Sequence, residues 1–354
     1  MILDEMLKST GEWLKGTGPD ADVVVSSRIR LARNLADFPF TNRASAMQKG
    51  EIEALVRERL GKSAWEGAFQ YIQVHTLNAI EREFLRERQL ISREHVGAEG
   101  PRGVAFETQE SRSLMVNEED HLRLQVLRSG FVLEEAWEDI DKLDDQIEER
   151  ITYAFSEEFG YLTACPTNVG TGMRASVMLH LPALHYTKQL EKVFRALQKI
   201  NLAVRGLYGE GTRASGDFYQ ISNQVTLGKS EQQILKEIRE VIPQIITYER
   251  VARKKLLDEN RMLVEDKVAR AYGTLRAAAM MTSEETMELL STVRLGIQLE
   301  LIKDLNVLAV NELFLQTQPA HLQRLRGITL DGDEHNVARA RYLREKLSNG
   351  MSKN

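Results

Sequence analysis

Five arginines stand in segments whose composition predicts strands or loops rather than helices: Arg28, Arg30, Arg123, Arg174 and Arg205. Arginine stays charged at physiological pH and offers a planar fork of donors that suits phosphate oxygens. Five such groups in one place could hold a triphosphate and neutralise the charge of a phosphoryl group in transfer. Any one of these arginines taken alone is better explained as part of a solvated strand surface. The phosphate hypothesis therefore depends on their convergence, which spacing does not show.

Carboxylates and a thiol supply the complementary chemistry. Glu119 lies in Asn117–Asp120, an acidic segment between two predicted strands, and Glu210 lies between two glycines of a predicted loop. Such acids could orient a cationic guanidinium acceptor and accept its proton, although an ordinary acidic turn and loop have the same composition. Cys165 precedes a predicted loop, where a thiolate would add negative charge. The alternative is a small buried hydrophobic residue.

Two familiar nucleotide motifs are incomplete. Gly-Lys-Ser occurs at 61–63 and 228–230, but the glycine that a P-loop needs five residues earlier is Val56 in one case and Asn223 in the other. Residues 170–175 match the dinucleotide fingerprint G-x-G-x-x-A, which leaves an NAD-type oxidoreductase as one alternative. The residues that follow alternate like a strand, whereas that fingerprint must open a helix.

The predicted elements divide the chain in two. Strands are predicted from residue 23 and at 69–75, 103–108, 112–117, 121–128, 158–163, 173–181, 202–208 and 217–227, with helices at 45–60, 131–150 and 183–200. After about residue 230 apolar residues recur at helical spacing, as in Leu289, Val293, Ile297 and Leu301. We therefore predict an α+β catalytic domain at 1–255 and a helical C-terminal domain at 256–354.

Composition narrows the class of protein. The chain has 354 residues, 42% hydrophobic and 28% charged, an ordinary composition for a soluble protein. Its net charge of −5 gives no general attraction to nucleic acid or to an anionic membrane. The N-terminus has no apolar core of signal-peptide length, and a single cysteine excludes an intramolecular disulfide. These features predict a cytoplasmic protein.

Five blocks together resemble the phosphagen kinases, the creatine and arginine kinase family. The blocks are Ser26–Arg30, Asn117–Arg123, Cys165–Gly172, Arg174–Val177 and Arg205–Glu210. The resemblance implies a mostly antiparallel sheet flanked by helices, followed here by an all-helical C-terminal domain. The chain lacks the family's N-terminal helical domain, and its arrangement is similar to that of the bacterial branch that phosphorylates arginine in proteins. That similarity implies transfer of the γ-phosphoryl of ATP to protein arginine.

The resemblance also implies roles for individual residues. Glu119 would be the base, Glu210 its partner on the acceptor, and Cys165 an electrostatic aid. Mg²⁺ would bridge the phosphates of ATP, with no dedicated protein metal site. Gln89 stands where the family has a histidine. The implied ATP-binding residues are Ser26, Ser27, Arg28, Ile29, Arg30, Gln89, Arg123, Arg174, Ala175, Ser176, Val177, Met178, Arg205, Gly206, Leu207, Tyr208 and Gly209.

The C-terminal part departs from the family at a phosphoarginine-binding motif, Arg-Asp-x-x-Arg-Ala. Here the aligned residues include His335, Asn336, Arg339 and Ala340, so only the last two match. Replacing the first arginine by histidine removes the bidentate fork. We expect this pocket, if it binds phosphoarginine at all, to do so without that contact.

The resemblance implies partners as well. They are a zinc-binding activator protein, a stress-response repressor as substrate, and the Clp unfoldase that consumes marked proteins, with a homodimer through the helical part. Two alternatives stay open: a kinase for free arginine or another small guanidine, and a non-catalytic adaptor on a kinase scaffold. Substituting Glu119 would abolish turnover in a kinase and leave an adaptor unaffected.

Overall fold

A computed structural model describes residues 2–60, 69–206 and 216–348. Eight strands form one sheet in the order β2-β3-β4-β5-β1-β8-β10-β9, and β6 pairs with β7 in a separate hairpin. All registered neighbours run antiparallel, so the predicted α+β class with a mostly antiparallel sheet is confirmed. The strands are β1 Val24–Arg33, β2 Phe69–Gln73, β3 Gly103–Glu107, β4 Arg112–Val116, β5 Leu122–Ser129, β6 Phe155–Ser156, β7 Gly160–Tyr161, β8 Met173–His180, β9 Leu202–Gly206 and β10 Phe218–Asn223.

The helices precede, connect and follow these strands. They are α1 Ile2–Met6, α2 Ala46–Leu60, α3 Ala79–Glu87, α4 Arg93–Gly97, α5 Leu133–Glu148, α6 Pro182–Tyr186, α7 Leu190–Lys199, α8 Glu231–Ala277, α9 Ser283–Gln298, α10 Val307–Gln316, α11 Pro319–Arg326 and α12 Asp333–Ser348. Ser230 begins α8 with a capping box, because its hydroxyl accepts the Gln233 N–H and the Gln233 side chain accepts the Ser230 N–H. This helix continues across residue 255 and is interrupted at Asn260, whose φ/ψ is not helical.

One face of the sheet forms the main core. Successive side chains of a strand point to opposite faces of the sheet. The side chains that point into this core are fully buried and include Ile29 and Leu31 of β1, Leu124 of β5 and Val177 of β8. Helices α5 and the first half of α8 cover this face with apolar side chains such as Ile140. The alternate residues of the same strands must therefore lie on the opposite face.

The C-terminal helices cover only one end of that opposite face. Leu127, Met178 and Phe218 belong to the sheet but pack in one apolar cluster with Leu290 and Leu313 of the C-terminal helices. Helix α3 packs on β3 and β4 at another part of the same face in a separate apolar cluster, and the remaining part is open as a cleft. The helical part thus closes one end of this face.

Most predicted elements are present with altered limits. The strand predicted at 158–163 is only the hairpin strand β7, the helix predicted at 183–200 is divided into α6 and α7, and the last strand ends at Asn223 rather than 227. Helices α3 and α4 were not predicted. Of the helices in the described ranges, none is both long enough and apolar enough to cross a bilayer.

Candidate active site

Strand register brings the arginines onto one face. Arg30 lies opposite Arg174 across β1 and β8, and Ala32 lies opposite Arg123 across β1 and β5. Because residues two apart share a face, Arg28 and Arg30 point to the same side as both partners. Arg205 joins them through Gln220, which lies opposite Arg205 on β9 and opposite Met178 on β8. The convergence that spacing could not show is thus a consequence of strand order.

These arginines line a cleft of about 840 Å³ together with Glu118, Glu119, Asp120, Cys165 and Gln89. This volume lies within the range of small-molecule sites. Arg28 is held by two neutral amides: Nη1 donates to Gln89 Oε1 at 3.1 Å, and Nη2 donates to Gln220 Oε1 at 2.7 Å. Gln89 adopts a left-handed φ of 64°, which directs its side chain from the end of α3 into the cleft.

The cluster is electrostatically strained. Burial, followed by repulsion from Arg123, Arg174 and Arg205, lowers the pKa of Arg28 to about 10, so it remains protonated at neutral pH. Burial, followed by repulsion from Arg28, also holds the pKa of Arg30 well below its usual range. Within the described residues the buried Arg30 Nε has no hydrogen-bond partner. An anion in the cleft would relieve both the repulsion and this unmet donor.

Glu118 fixes one arginine of the cluster. Its Oε1 accepts from Arg123 Nη1 at 2.6 Å and from Ser92 Oγ at 2.5 Å, and its side chain is 1% exposed. Burial alone would raise the pKa of Glu118, but Arg123, Ser92 and the Glu119 N–H together lower it to about 2. Glu118 is thus a permanently ionised positioning group rather than a proton acceptor.

Asp120 ties the acidic turn to the cysteine loop. Its Oδ1 accepts from Asn34 Nδ2 at 2.6 Å and from the Ala164 N–H at 2.7 Å, and Asn34 Oδ1 accepts the His121 N–H at 2.9 Å. The end of β1, the turn between β4 and β5, and the start of the loop at Cys165 are therefore joined at one buried carboxylate. This junction sets the position of Cys165 relative to Glu119.

Glu119 is the exposed member of the three consecutive acids. Burial of part of the group, and then repulsion from Glu118 and Asp120, raises its pKa, while a hydrogen bond from Cys165 opposes this shift. Cys165 Sγ also lies 3.0 Å from Thr167 Oγ1. An accessible carboxylate with a raised pKa beside an arginine cluster is suited to accept a proton from a substrate.

The remaining nucleotide residues divide between the two faces. Ser26, Ser176 and Met178 share the arginine face, since Ser176 lies opposite Arg28 and Met178 opposite Ser26. The side chains of Ile29, Ala175 and Val177 are instead buried in the core on the other face. Ser27 Oγ donates to Gly130 O and accepts the Val132 N–H, so it is engaged within the fold. Gly206 ends β9, whereas Leu207, Tyr208, Gly209 and Glu210 lie outside the described residues.

Glu118, Asp120 and Gln220 are among the cleft residues that were not identified as site residues from the sequence. Glu118 and Asp120 are neighbours of Glu119, but nothing in three consecutive acids says which one is exposed. Gln220 has no sequence signal of its own. Only the pairing of β9 with β10 would have placed it beside the arginines.

Other motifs have structural roles. Residues 170–172 lead into strand β8, not into a helix, so the dinucleotide-binding interpretation is wrong. Lys229 of the second Gly-Lys-Ser pairs with Glu237 at 2.5 Å, and the first, at 61–63, lies outside the described residues.

The C-terminal motif is largely occupied by internal contacts. Arg339, 2% exposed, donates from Nε to Thr317 O and from Nη1 to Met281 O, both at 2.9 Å, and from Nη1 to Asn336 Oδ1 at 3.1 Å. Ala340 is fully buried, and His335 is half-buried on the same helix. Arg339 thus joins α12 to the start of α9 and the end of α10.

Comparisons with known proteins agree with this geometry. A family model described as the C-terminal catalytic domain of ATP:guanido phosphotransferase matches residues 51–252, and one described as the protein-arginine kinase McsB C-terminal domain matches residues 261–354. A protein-arginine kinase of Halothermothrix orenii is 46% identical over 98% of this chain and 99% of its own length. One of Brevibacillus brevis is 48% identical over 95% of this chain and 94% of its own.

Solved structures show a similar fold over about two thirds of this chain. The duplicated taurocyamine kinase of Schistosoma mansoni, with transition-state analogue components bound, has a TM-score of 0.59 at 28% identity, covering 69% of this chain and 35% of that one. A lombricine kinase has a TM-score of 0.58 at 25% identity, covering 67% of this chain and 68% of that one.

Proposed function

This chain belongs to the ATP:guanido phosphotransferase family and, within it, to the protein-arginine kinases, so we propose how its cleft phosphorylates arginine in proteins. ATP and the acceptor arginine would meet in the cleft described above. The observation that carries the proposal is the placement of Arg28, Arg30, Arg123, Arg174 and Arg205 on one sheet face beside Glu119. The arginines would bind the triphosphate, and the acids would bind the guanidinium.

The donor set fits a triphosphate. The pKa values of Arg28 and Arg30 are lowered by burial and mutual repulsion. Among the described residues neither has an ion pair that phosphate oxygens would first have to break. Arg30 Nε is a buried donor that a phosphate oxygen could satisfy. Gln89 and Gln220 hold Arg28 in place with neutral dipoles.

Glu119 would act as the base. It accepts the proton from a guanidinium nitrogen of the acceptor as that nitrogen forms a bond to the γ-phosphorus. The bond between the γ-phosphorus and the β–γ bridging oxygen breaks, and its electron pair stays on ADP. The arginines stabilise the charge that develops on the phosphoryl oxygens and on ADP. Cys165 would hold Glu119 by its hydrogen bond and add negative potential beside the acceptor.

Mg²⁺ would be carried by the nucleotide. In the described part of the chain no group of three or more His, Cys, Asp or Glu side chains is placed to hold a metal ion. Magnesium commonly keeps several waters and binds through substrate phosphates. Its chemistry would be to neutralise phosphate charge, and the residues of this chain would contribute through the arginines.

The experiment is transfer from MgATP to an arginine-rich unfolded protein, with free arginine in parallel, analysed by mass spectrometry without acid. We expect acid-labile phosphate on protein arginine, and at least a 10³-fold lower rate for Glu119→Gln with ATP binding retained. Glu149→Gln, an exposed acid at the end of α5, is the matched control. Full activity of Glu119→Gln would contradict the assignment of the base.

Finer assignments are proposed from the sequence patterns described above and from similarity to the protein-arginine kinases. They comprise a catalytic domain at 1–255 with a helical domain at 256–354, a homodimer, and a cytoplasmic role in stress response. They also include a zinc-binding activator, a stress-response repressor as substrate and the Clp unfoldase as partners. Phosphoarginine binding near His335 and Asn336 is another of these finer assignments. At that site Nε and Nη1 of Arg339 already donate to Thr317 O and Met281 O.

A further inference from the structure

We propose that an apolar groove beside the cysteine loop binds the part of the protein substrate that flanks the acceptor arginine. The groove, lined by Phe155, Phe159, Tyr161, Leu227 and Glu231 among others, is called here the flank groove. Its occupant is an extended segment with apolar side chains and further basic residues. This inference rests on the proposed function and names what determines the choice of arginine.

Large apolar side chains are exposed around the flank groove. Phe155 is 57% exposed, Phe159 45% and Leu227 49%, and all three line one cavity of about 260 Å³. Single exposed apolar residues need no explanation, but three around one concavity mark a binding surface. A cavity of this size accommodates two or three side chains rather than a folded domain.

The flank groove is preformed. The Tyr161 N–H donates to Gly170 O at 2.8 Å, and the Gly170 N–H donates to Tyr161 O at 3.3 Å, so the β6–β7 hairpin is bonded to the cysteine loop. Gly160 has a φ of 76°, and a Cβ there would lie 2.6 Å from Gly170 O. Such a close approach of two backbones requires glycine. Phe155 packs edge-on against Tyr161, with ring centroids 5.3 Å apart. A rigid groove loses little entropy on binding.

The flank groove and the proposed reaction centre are lined by neighbouring residues of one loop. The loop that contributes Cys165, Thr167 and Gly172 to the cleft contributes Gly170 and Thr171 to the groove. Tyr161 and Cys165 are four positions apart in the chain, which limits the distance between their Cα atoms to about 14 Å. An extended peptide crosses that distance in about four residues. A substrate arginine at Glu119 would therefore have neighbours about three to five residues away within reach of the groove.

The charge around the flank groove suits a basic segment. Glu158 and Glu231 line it, and its lysine, Lys229, is already paired with Glu237. An acidic rim attracts segments with additional arginine or lysine and repels acidic ones. The combination of apolar walls and acidic rim complements an unfolded basic segment, because folded proteins bury the apolar residues that it would bind.

The test compares two acceptor peptides with the same single arginine. One has leucine or phenylalanine three to five residues away on both sides, and the other has serine there. We expect kcat/KM about tenfold higher for the apolar peptide, mainly through KM, because two partly exposed apolar side chains become covered. Phe155→Ser and Leu227→Ser should each remove most of that preference and leave the serine peptide unchanged. Met262→Ser, at an 81% exposed site on α8, is the matched control and should keep the preference.

The outcomes separate the alternatives. Equal rates for both peptides, or equal loss in Met262→Ser, would overturn the inference while leaving the proposed function intact. A change in sedimentation of Phe155→Ser or Leu227→Ser would identify a second copy as the occupant and also overturn it. Phosphorylation of neither peptide by the unaltered protein would overturn the proposed function and this inference with it.

Discussion

Glu118→Gln is the most direct test of how the acidic turn is built. The change keeps the size of the side chain and removes the charge that pairs with Arg123 at 2.6 Å. The pKa of Glu118 is lowered from 4.5 to about 2, with the cost of burial already included. At roughly 1.4 kcal/mol per pKa unit this difference corresponds to about 3 kcal/mol of folding stability. Removing one partner of a buried ion pair generally costs about 3–5 kcal/mol, in agreement with this value.

The pH dependence has a definite sign. Because the pKa of Glu118 is lower in the folded protein, its contribution is complete above about pH 4.5 and is lost as the pH falls from there toward 2. Urea denaturation of the unaltered protein and of Glu118→Gln between pH 3 and 7 measures this contribution. The difference in the free energy of unfolding should be constant at pH 5–7 and should shrink below 4.5. Glu149→Gln, at an exposed position directly after α5, should change stability by less than about 0.5 kcal/mol.

Two results would refute this reasoning. If Glu118→Gln were as stable as the unaltered protein at pH 7, the ion pair with Arg123 would not stabilise the fold. If the stability difference stayed constant down to pH 3, it would arise from packing and not from charge. The rate of phosphoryl transfer should fall together with the stability of Glu118→Gln, because Arg123 would lose the carboxylate that fixes its Nη1 in the cleft.

Two further predictions concern the same turn. Because the pKa of Glu119 is raised, kcat/KM should fall as the pH drops through a value above 4.5, and a pH–rate profile of Glu119→Gln should lack this limb. Asp120→Ala should lower kcat about 10–100-fold with little change in KM for ATP, since the Ala164 N–H and Asn34 lose their common acceptor and the Cys165 loop shifts. Asp120→Asn keeps an acceptor oxygen, so its kcat should fall less than that of Asp120→Ala. Steady-state kinetics of both variants measure this difference. An equal fall in kcat for the two variants would contradict this account.

The sequence predicted the kind of site better than its geometry. Alternation along 121–128 indicated which side chains of β5 face the core, and the five blocks resembled the phosphagen kinases, a resemblance that is confirmed. Position along the chain did not place Arg205 beside Arg28. Their proximity depends on the order β1-β8-β10-β9, which is fixed by contacts between distant segments.

The acidic turn shows a second limit of sequence reasoning. Glu118, Glu119 and Asp120 have similar side chains and adjacent positions, yet one pairs with Arg123, one is exposed and one joins the turn to the cysteine loop. The turn begins at Asn117, whose φ of 59° reverses the backbone and whose N–H donates to His121 O. That conformation turns the three side chains in different directions, and composition alone does not encode it.

The partners of two arginines explain how the cleft keeps its charge for a nucleotide. Arg123 is paired with the carboxylate of Glu118, which largely neutralises it, whereas Arg28 is held by the amide oxygens of Gln89 and Gln220. A carboxylate at either glutamine position would hold Arg28 more tightly and would compete with phosphate for it. Neutral amides fix the direction of the guanidinium and leave its charge unneutralised. The lowered pKa of Arg28 is the cost of this arrangement, and an anionic substrate removes that cost when it binds.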